Sequence, residues 1–356
     1  MRIGIPRALS FYNYYPFWHG FFTNLGFEVV LSGKTTKSIV SAGSALVVTE
    51  TCLPVKIYVG HVLDLLQNKK VDAIYTPSIQ SIDYKIYNCS KIRGLPDLIR
   101  NVIKQDFLLI EPTLDKSDKD KTFYDYLEES VKDLGVTDKE AIKRASKVGW
   151  KAQNNFNMMI HSGVSFEKAL RYAIEGKVVI LKEEEEYPIN VAVIAHGYNL
   201  HDDHSSMKIL SKLNKLGVKT YTADRLTQEE MKEGFRNLET DIYWANEYEM
   251  TGAAGYYMKD DHIDGVITVT AFGCGPDSIM IERMTRFSKK FGKPLLNLTI
   301  DEHTGEAGFI TRLEAFTDML FRKKRLNLTQ SFDKEFKSKD NKQEKKTNKY
   351  KIAINI

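Results

Sequence analysis

Cys52, Cys89 and Cys274 are the only three thiols in 356 residues. They lie far apart, and no Cys-x-x-Cys pair occurs, so zinc-finger and ferredoxin spacings are excluded. An odd number of cysteines in a chain expected to be cytoplasmic also argues against a disulfide framework. Three readings stand: buried structural thiols, a metal site, or a reactive thiol. Spacing alone favours buried thiols. Local context points the other way, because each cysteine lies in a polar, Gly/Pro-containing loop and none on an apolar stripe. Cys52 opens Cys52-Leu-Pro54, and Cys274 sits inside Ala271-Phe-Gly-Cys-Gly-Pro-Asp-Ser278. Both directly precede helix-periodic segments, and free N–H groups and the dipole at a helix start favour a thiolate or an anionic cluster.

Other side chains are candidates for weaker roles. Glu50, beside Cys52, and the pair Glu302 and His303 are candidate proton donors, with helix capping or loop hydrogen bonding as the competing role. Arg7, at the end of the first apolar run, is a candidate for holding a phosphate or carboxylate, against simple pairing with a nearby acid. His196-Gly-Tyr-Asn-Leu-His201-Asp-Asp-His204 gathers three histidines and two aspartates in no common zinc spacing. Helix capping by Asp202 or Asp203 is the preferred reading there. The acidic run Glu183 to Glu186, before Pro188, reads as a solvated linker rather than a cation site.

The elements that must position these residues read as alternating strands and helices. Arg2 to Ile5 is a short buried strand. The aromatic-rich stretch Pro6 to Asn24 is a helix broken or kinked near Tyr15 by Pro16. Phe27 to Leu31, Val71 to Tyr75 and Phe107 to Ile110 are further strands, and a helix runs from Pro54 to about Gln67. Lys37 to Val48 stays ambiguous between helix and strand. Pro77 to Asn88 is expected to be a polar loop that delivers Cys89, ahead of a helix from Leu95. Asp115 to Lys177 is charged and helix-periodic. A second α/β series begins at Asn190 to Ile194, with a helix over 205–216 and strands at Val218 to Tyr221, Val266 to Val269 and Pro294 to Leu298. Between the first two lies a polar stretch holding Tyr243, Trp244 and Asn246, then a small-residue helix around Gly252 to Tyr257. A helix to Phe291 follows Cys274, and Ile310 to Phe321 closes the series.

The fold class is therefore α/β, doubly wound and mostly parallel. Its expected divisions are an N-terminal α/β domain (1–114) with Cys52 and Cys89, a helical insert with acidic linker (115–188), a C-terminal α/β domain (189–322) with Cys274, and a basic, disordered tail (323–356). A last short strand is expected at Lys351 to Ile356. Composition fits: 42% hydrophobic and 28% charged residues suffice for cores, and no run is apolar for long enough to span a bilayer. The net charge of +4 is misleading, since from Phe321 onward there are 12 Lys/Arg against 4 Asp/Glu. The remaining body carries −4, which argues against nucleic acid as a partner. A cytoplasmic location without membrane partners is expected.

Five ordered motifs carry a family resemblance. They are Gly4-Ile-Pro-Arg-Ala-Leu9; Glu50-Thr-Cys-Leu-Pro-Val-Lys56 with Gly60 and His61; Gly94-Leu-Pro-Asp97 behind Cys89; Phe272 to Ser278; and Asp301 to Gly308 leading into Arg312-Leu-Glu-Ala-Phe316. Over residues 1 to about 320 the chain resembles the 2-hydroxyacyl-CoA dehydratase and benzoyl-CoA reductase superfamily, and within it the acyl-CoA dehydratase activase-related proteins. The resemblance implies two flavodoxin-like domains with an iron–sulfur cluster between them, ligated by Cys52, Cys89 and Cys274. A 4Fe-4S cubane is implied first, with a larger double cubane as the alternative, and one iron left open. It further implies an ATP-dependent activase as electron donor, an acyl-CoA or other small substrate that undergoes radical dehydration or reduction, and a homodimer or heterodimer with a related subunit. The loop at His196 would line the cleft, making His196 a candidate substrate contact. A non-catalytic subunit that carries a cluster for electron storage or transfer is the alternative.

Overall fold

A computed structural model describes residues 1–181, 186–238 and 244–326. The first part of the chain contributes β1 (Arg2–Ile5), β2 (Glu28–Leu31), β3 (Ala73–Tyr75), β4 (Ser78–Asp83), β5 (Ile86–Tyr87), β6 (Leu108–Ile110) and β7 (Thr113–Asp115). The later part adds β8 (Ile189–Ala195), β9 (Val218–Thr222), β10 (Gly265–Ala271) and β11 (Leu295–Ile300). One parallel sheet has the order β2-β1-β3-β6, a second β11-β10-β8-β9, and a small third sheet β5-β4-β7. In both parallel sheets the strand order reverses beside the first strand, between β1 and β3 and between β8 and β10. Open sheets of this kind place ligands at the C-terminal ends of the strands flanking that reversal. The architecture is a two-domain, flavodoxin-like α/β fold.

Apolar side chains on both faces of these strands form three cores. One packs helix Phe11–Asn24 and the helices Phe123–Lys132, Lys139–His161 and Phe166–Ile174 against the first sheet. Another lies between helices Gln228–Leu238, Ala245–Lys259 and Gly275–Phe291 and the second sheet. The third is shared: Val55, Val59 and Val62 of helix Leu53–Asp64 belong to the same cluster as Val191, Val193 and Ile267 of the second sheet. Close helix approach depends on glycine. A Cβ on Gly43 would lie 1.9 Å from the Lys56 carbonyl oxygen, and one on Gly60 2.0 Å from that of Ile39.

The structure departs from the sequence reading in several places. Helix Phe11–Asn24 is uninterrupted, with Pro16 inside it. The ambiguous stretch at Lys37 is helical to Ser44, started by Thr36, whose hydroxyl accepts the Ile39 N–H. Pro77 to Asn88 is not a loop but contains β4 and β5. Its buried positions include Ser78 and Ser81, so the apolar alternation that would reveal a strand is absent. The helix expected over 205–216 begins only at Ile209, because Asp202 caps a turn through His204 and Ser205 and because Met207 and Lys208 have positive φ. The polar stretch after β9 holds helix Gln228–Leu238, and helix Ala245–Lys259 starts earlier than expected. Most of the acidic run, Tyr243, and the basic tail beyond 326 with its expected strand at Lys351 lie outside the described residues.

Candidate functional site

Each cysteine is the residue immediately before a helix. Cys52 is the N-cap of Leu53–Asp64, Cys89 of Ser90–Arg93 and Cys274 of Gly275–Phe291. The pattern follows from local sequence: Pro54 and Pro276 suit the first helical turn, and the extended backbone of each cysteine breaks the helix behind it. Gly273, with φ of 76°, makes the turn out of β10 that delivers Cys274.

The three loops meet at the backbone of Glu50. Lys91 Nζ, two residues past Cys89, donates to the Glu50 carbonyl at 3.2 Å. A Cβ on Gly273 would sit 3.4 Å from the same oxygen. All three thiols are free and half-buried. Burial pushes each of them above the usual thiol range, most strongly Cys274, where the Asp277 carboxylate adds to the effect. Opposing this are the N–H groups of Val55, of Lys91 and Ile92, and of Asp277, one set per helix start, together with the Lys91 ammonium near Cys52. Among the described residues, no group of three His, Cys, Asp or Glu side chains is gathered around a single ion position.

Beside the thiols lies a cavity of about 250 Å³. Leu9 and Ser10 after β1 and Pro77 after β3 line it from one sheet, His196 and Tyr198 after β8 from the other. Asn88 and Ile92 bring the Cys89 loop to the same wall. The lining is mainly apolar, and its polar groups include His196 and Glu249. His196 is buried; its Nε2 contacts Asp277 Oδ1 at 2.9 Å, and its Nδ1 lies 3.8 Å from Glu249 Oε2. Burial works against its charge, but the Asp277 carboxylate and Glu249 outweigh it and push His196 up to about 10. The two carboxylates thus favour the charged form of the ring. Tyr198 stacks on it with centroids 5.0 Å apart. Burial raises the Tyr198 phenol, and Asp277, Cys274, Cys89 and Cys52 all add to the rise. One side chain thus senses all three thiols and lines the cavity.

The remaining sequence candidates fall elsewhere. Arg7 pairs with Glu167 at 3.2 Å and lies over the Phe11 ring. Glu50 meets the site through its backbone carbonyl. Glu302 is bonded to Lys56 at 2.5 Å; burial works against its charge, but the Lys56 bond prevails and holds the carboxyl below its usual range. His303 borders a separate polar cleft. Asp277, Tyr198, Glu249 and Lys91 are the site's additions to the sequence reading. Asp277 was visible only as a first-turn acid of the helix after Cys274, and nothing local reveals that it faces His196, 81 positions away.

No helix among the described residues is long and apolar enough to cross a membrane. Comparison with curated proteins yields no match. The model of one family, described as CoA enzyme activase uncharacterised domain (DUF2229), matches residues 2–226. That span takes in the first parallel sheet, Cys52, Cys89 and the β8 loop with His196, and stops before Cys274. The chain belongs to this CoA enzyme activase-related family.

Proposed function

We propose that Cys52, Cys89 and Cys274 hold an iron–sulfur cluster, and that the apolar cavity beside it takes the reacting part of a small substrate such as an acyl-CoA. The observation that carries this reading is the meeting of three cysteine loops, drawn from both halves of the chain, at the Glu50 carbonyl. The donor set fits such a group. Three thiols match the soft ligands of iron–sulfur chemistry, and a cubane presents its irons at separate corners, so the thiols need not converge on one point. The thiols are raised by burial and by Asp277, and positive charge between them would offset that effect.

When bound, a cluster with three protein thiolates supplies one-electron transfer at low potential and one iron open to a further ligand. The chain's own residues do the rest. Leu9, Pro77, Ile79 and Ile92 give the cavity its apolar wall. Asp277 fixes the His196 ring through Nε2, which leaves Nδ1 on the side of Glu249 and the cavity. His196 and Glu249 together offer a proton donor and an acceptor to a substrate oxygen. Electrons would come from an ATP-dependent activase protein.

Anaerobic purification with assay of iron and acid-labile sulfide tests the reading. We expect a brown protein with about four irons per chain, and loss of colour and iron in a folded Cys274→Ala variant. A colourless wild-type protein that remains folded after anaerobic reconstitution would sink it. A cluster that is reduced by the activase without turnover of any acyl-CoA would leave only the electron-carrying role.

A further inference from the structure

The apolar cavity lies between the two halves of the chain, and its walls are joined by a carboxylate that does not line it. Ser10, Asn13 and Tyr14, at the start of helix Phe11–Asn24, belong to one wall. His196 and Tyr198, in the loop after β8, belong to the other. Tyr12, on the same turn of the helix, donates its hydroxyl to Asp202 Oδ2 at 3.0 Å. Asp202 follows His196 and Tyr198 in the β8 loop. That loop rests on the helix, since a Cβ on Gly197 would lie 3.4 Å from the Tyr12 Cβ.

Asp202 is buried, and both its oxygens are engaged. Oδ2 also accepts the hydroxyl of Thr35, from the loop after β2. Oδ1 accepts the His204 and Ser205 N–H groups at 2.9 Å each, and the Lys212 ammonium, bonded to the Met207 carbonyl, holds the turn that follows. One side chain thus shapes its own loop and grips the first half through two elements. The grip reaches one residue further. Thr35 Oγ1 lies 2.9 Å from Nε2 of His61, a fully buried ring whose Nδ1 has no partner among the described residues. Burial keeps that ring neutral at pH 7, with a single N–H. A hydroxyl has one proton, and a carboxylate only accepts. The Thr35 proton is therefore committed to Asp202, and its lone pair must receive the N–H from Nε2. Through Thr35, Asp202 fixes the tautomer of His61.

We propose that Asp202 is a positioning residue, the latch that holds the two walls of the cavity together, and that the latched state carries His61 as its Nε2–H tautomer. A molecule in the cavity meets His196 and Tyr198 where this latch sets them. The bearing on catalysis rests on the reading of this cavity as a substrate site. The latch itself is measured with neither substrate nor cluster, so the two can fail separately.

The full chain is made with isotopically labelled histidine, and the imidazole nitrogens are observed by NMR, with His61→Asn to identify the His61 signals. In the wild type the His61 proton should sit on Nε2. In Asp202→Asn the amide oxygen is required by the His204 and Ser205 N–H groups, so the NH2 group faces Tyr12 and Thr35. The Thr35 proton is then free to turn towards His61, and the tautomer should switch to Nδ1–H. Loosened packing alone gives no such switch. Amide hydrogen exchange over residues 196–205 reads the wall itself. Thr35→Val should speed it by about tenfold or more, through loss of a hydrogen bond to a charged group. Thr35→Ser, which keeps the hydroxyl, should match the wild type. A wild-type proton on Nδ1, or a folded Asp202→Asn protein with the wild-type tautomer, overturns the proposal. So does equal exchange in Thr35→Val and Thr35→Ser, a comparison that stands even where Asp202→Asn does not fold.

Discussion

Lys56 and Glu302 stand 246 positions apart in sequence and meet with Nζ and Oε1 at 2.5 Å. Lys56 lies on the helix begun by Cys52, and Glu302 follows β11, so the pair ties the two halves together next to the thiols. The Lys56 ammonium also donates to the Thr49 carbonyl at 2.9 Å. Its side chain is 4% exposed, against 20% for Glu302. Losing either partner therefore has unequal effects. Glu302→Gln strands a buried ammonium and should cost about 3 kcal/mol, as for a broken buried pair. Lys56→Met frees a carboxylate that water can reach, and about 1 kcal/mol is expected. Urea unfolding of both variants gives the comparison, and equal losses would contradict the asymmetry.

His61 gives a stability that depends on pH. It is fully buried, with Nε2 2.9 Å from the Thr35 hydroxyl and Nδ1 without a partner. Burial lowers it from 6.5 to about 4, against smaller opposing effects of Asp202 and Asp64. The unfolded chain then binds the extra proton first as pH falls. Stability is complete above about 6.5 and declines towards 4, by on the order of 3 kcal/mol at about 1.4 kcal/mol per unit. Thermal unfolding between pH 7 and 4 should show this slope, and His61→Asn should flatten it.

His196 acts in the opposite sense. Its folded value, about 10, lies above the ordinary 6.5, so its contribution is complete below 6.5 and is lost as pH rises through 10. His196→Gln leaves Asp277 buried without a cation, and we expect a loss of about 3 kcal/mol at neutral pH. The cost should shrink at pH 10. A loss that is the same at both pH values would refute the charged pair.

Glycine contacts set the helix that carries Cys52. Gly60→Ala places a methyl carbon against the Ile39 carbonyl and forces the crossing helices apart, with an expected loss of about 2–3 kcal/mol. Gly273→Ala acts differently. It strains a backbone with φ of 76°, costing about 1 kcal/mol, and crowds the Glu50 carbonyl by the thiols. If the thiols hold the proposed cluster, Gly273→Ala should lose more of the wild-type iron content after reconstitution than Gly60→Ala, and Gly60→Ala should show the larger drop in melting temperature.

Much of this was legible in the chain. The strand–turn–helix pattern around Cys274 was set by Pro276 and the apolar run before it, and the helix after Cys52 by Pro54; the structure has those elements there, while the ambiguous stretch before Cys52 is helical to Ser44. β4 was hidden because Ser81, fully buried, satisfies its hydroxyl on Asp115 at 2.5 Å instead of presenting an apolar face. The turn at Met207 and Lys208 was hidden because helix-like apolar spacing continues through it, while Asp202 and Lys212 impose the bend. The His196–Asp277 contact, and Glu249 facing the same ring, arise only when β8 and β10 lie side by side.

The distribution of the thiols also sets an order of events. Cys52 and Cys89 belong to the first part of the fold, whereas Cys274 leaves the last-but-one strand of the second sheet. A nascent or clipped chain that lacks β10 has at most two of the three sulfurs. Anything that requires all three can be loaded only after synthesis has passed residue 274 and both sheets have docked, so occupancy of the site doubles as a certificate of completed folding.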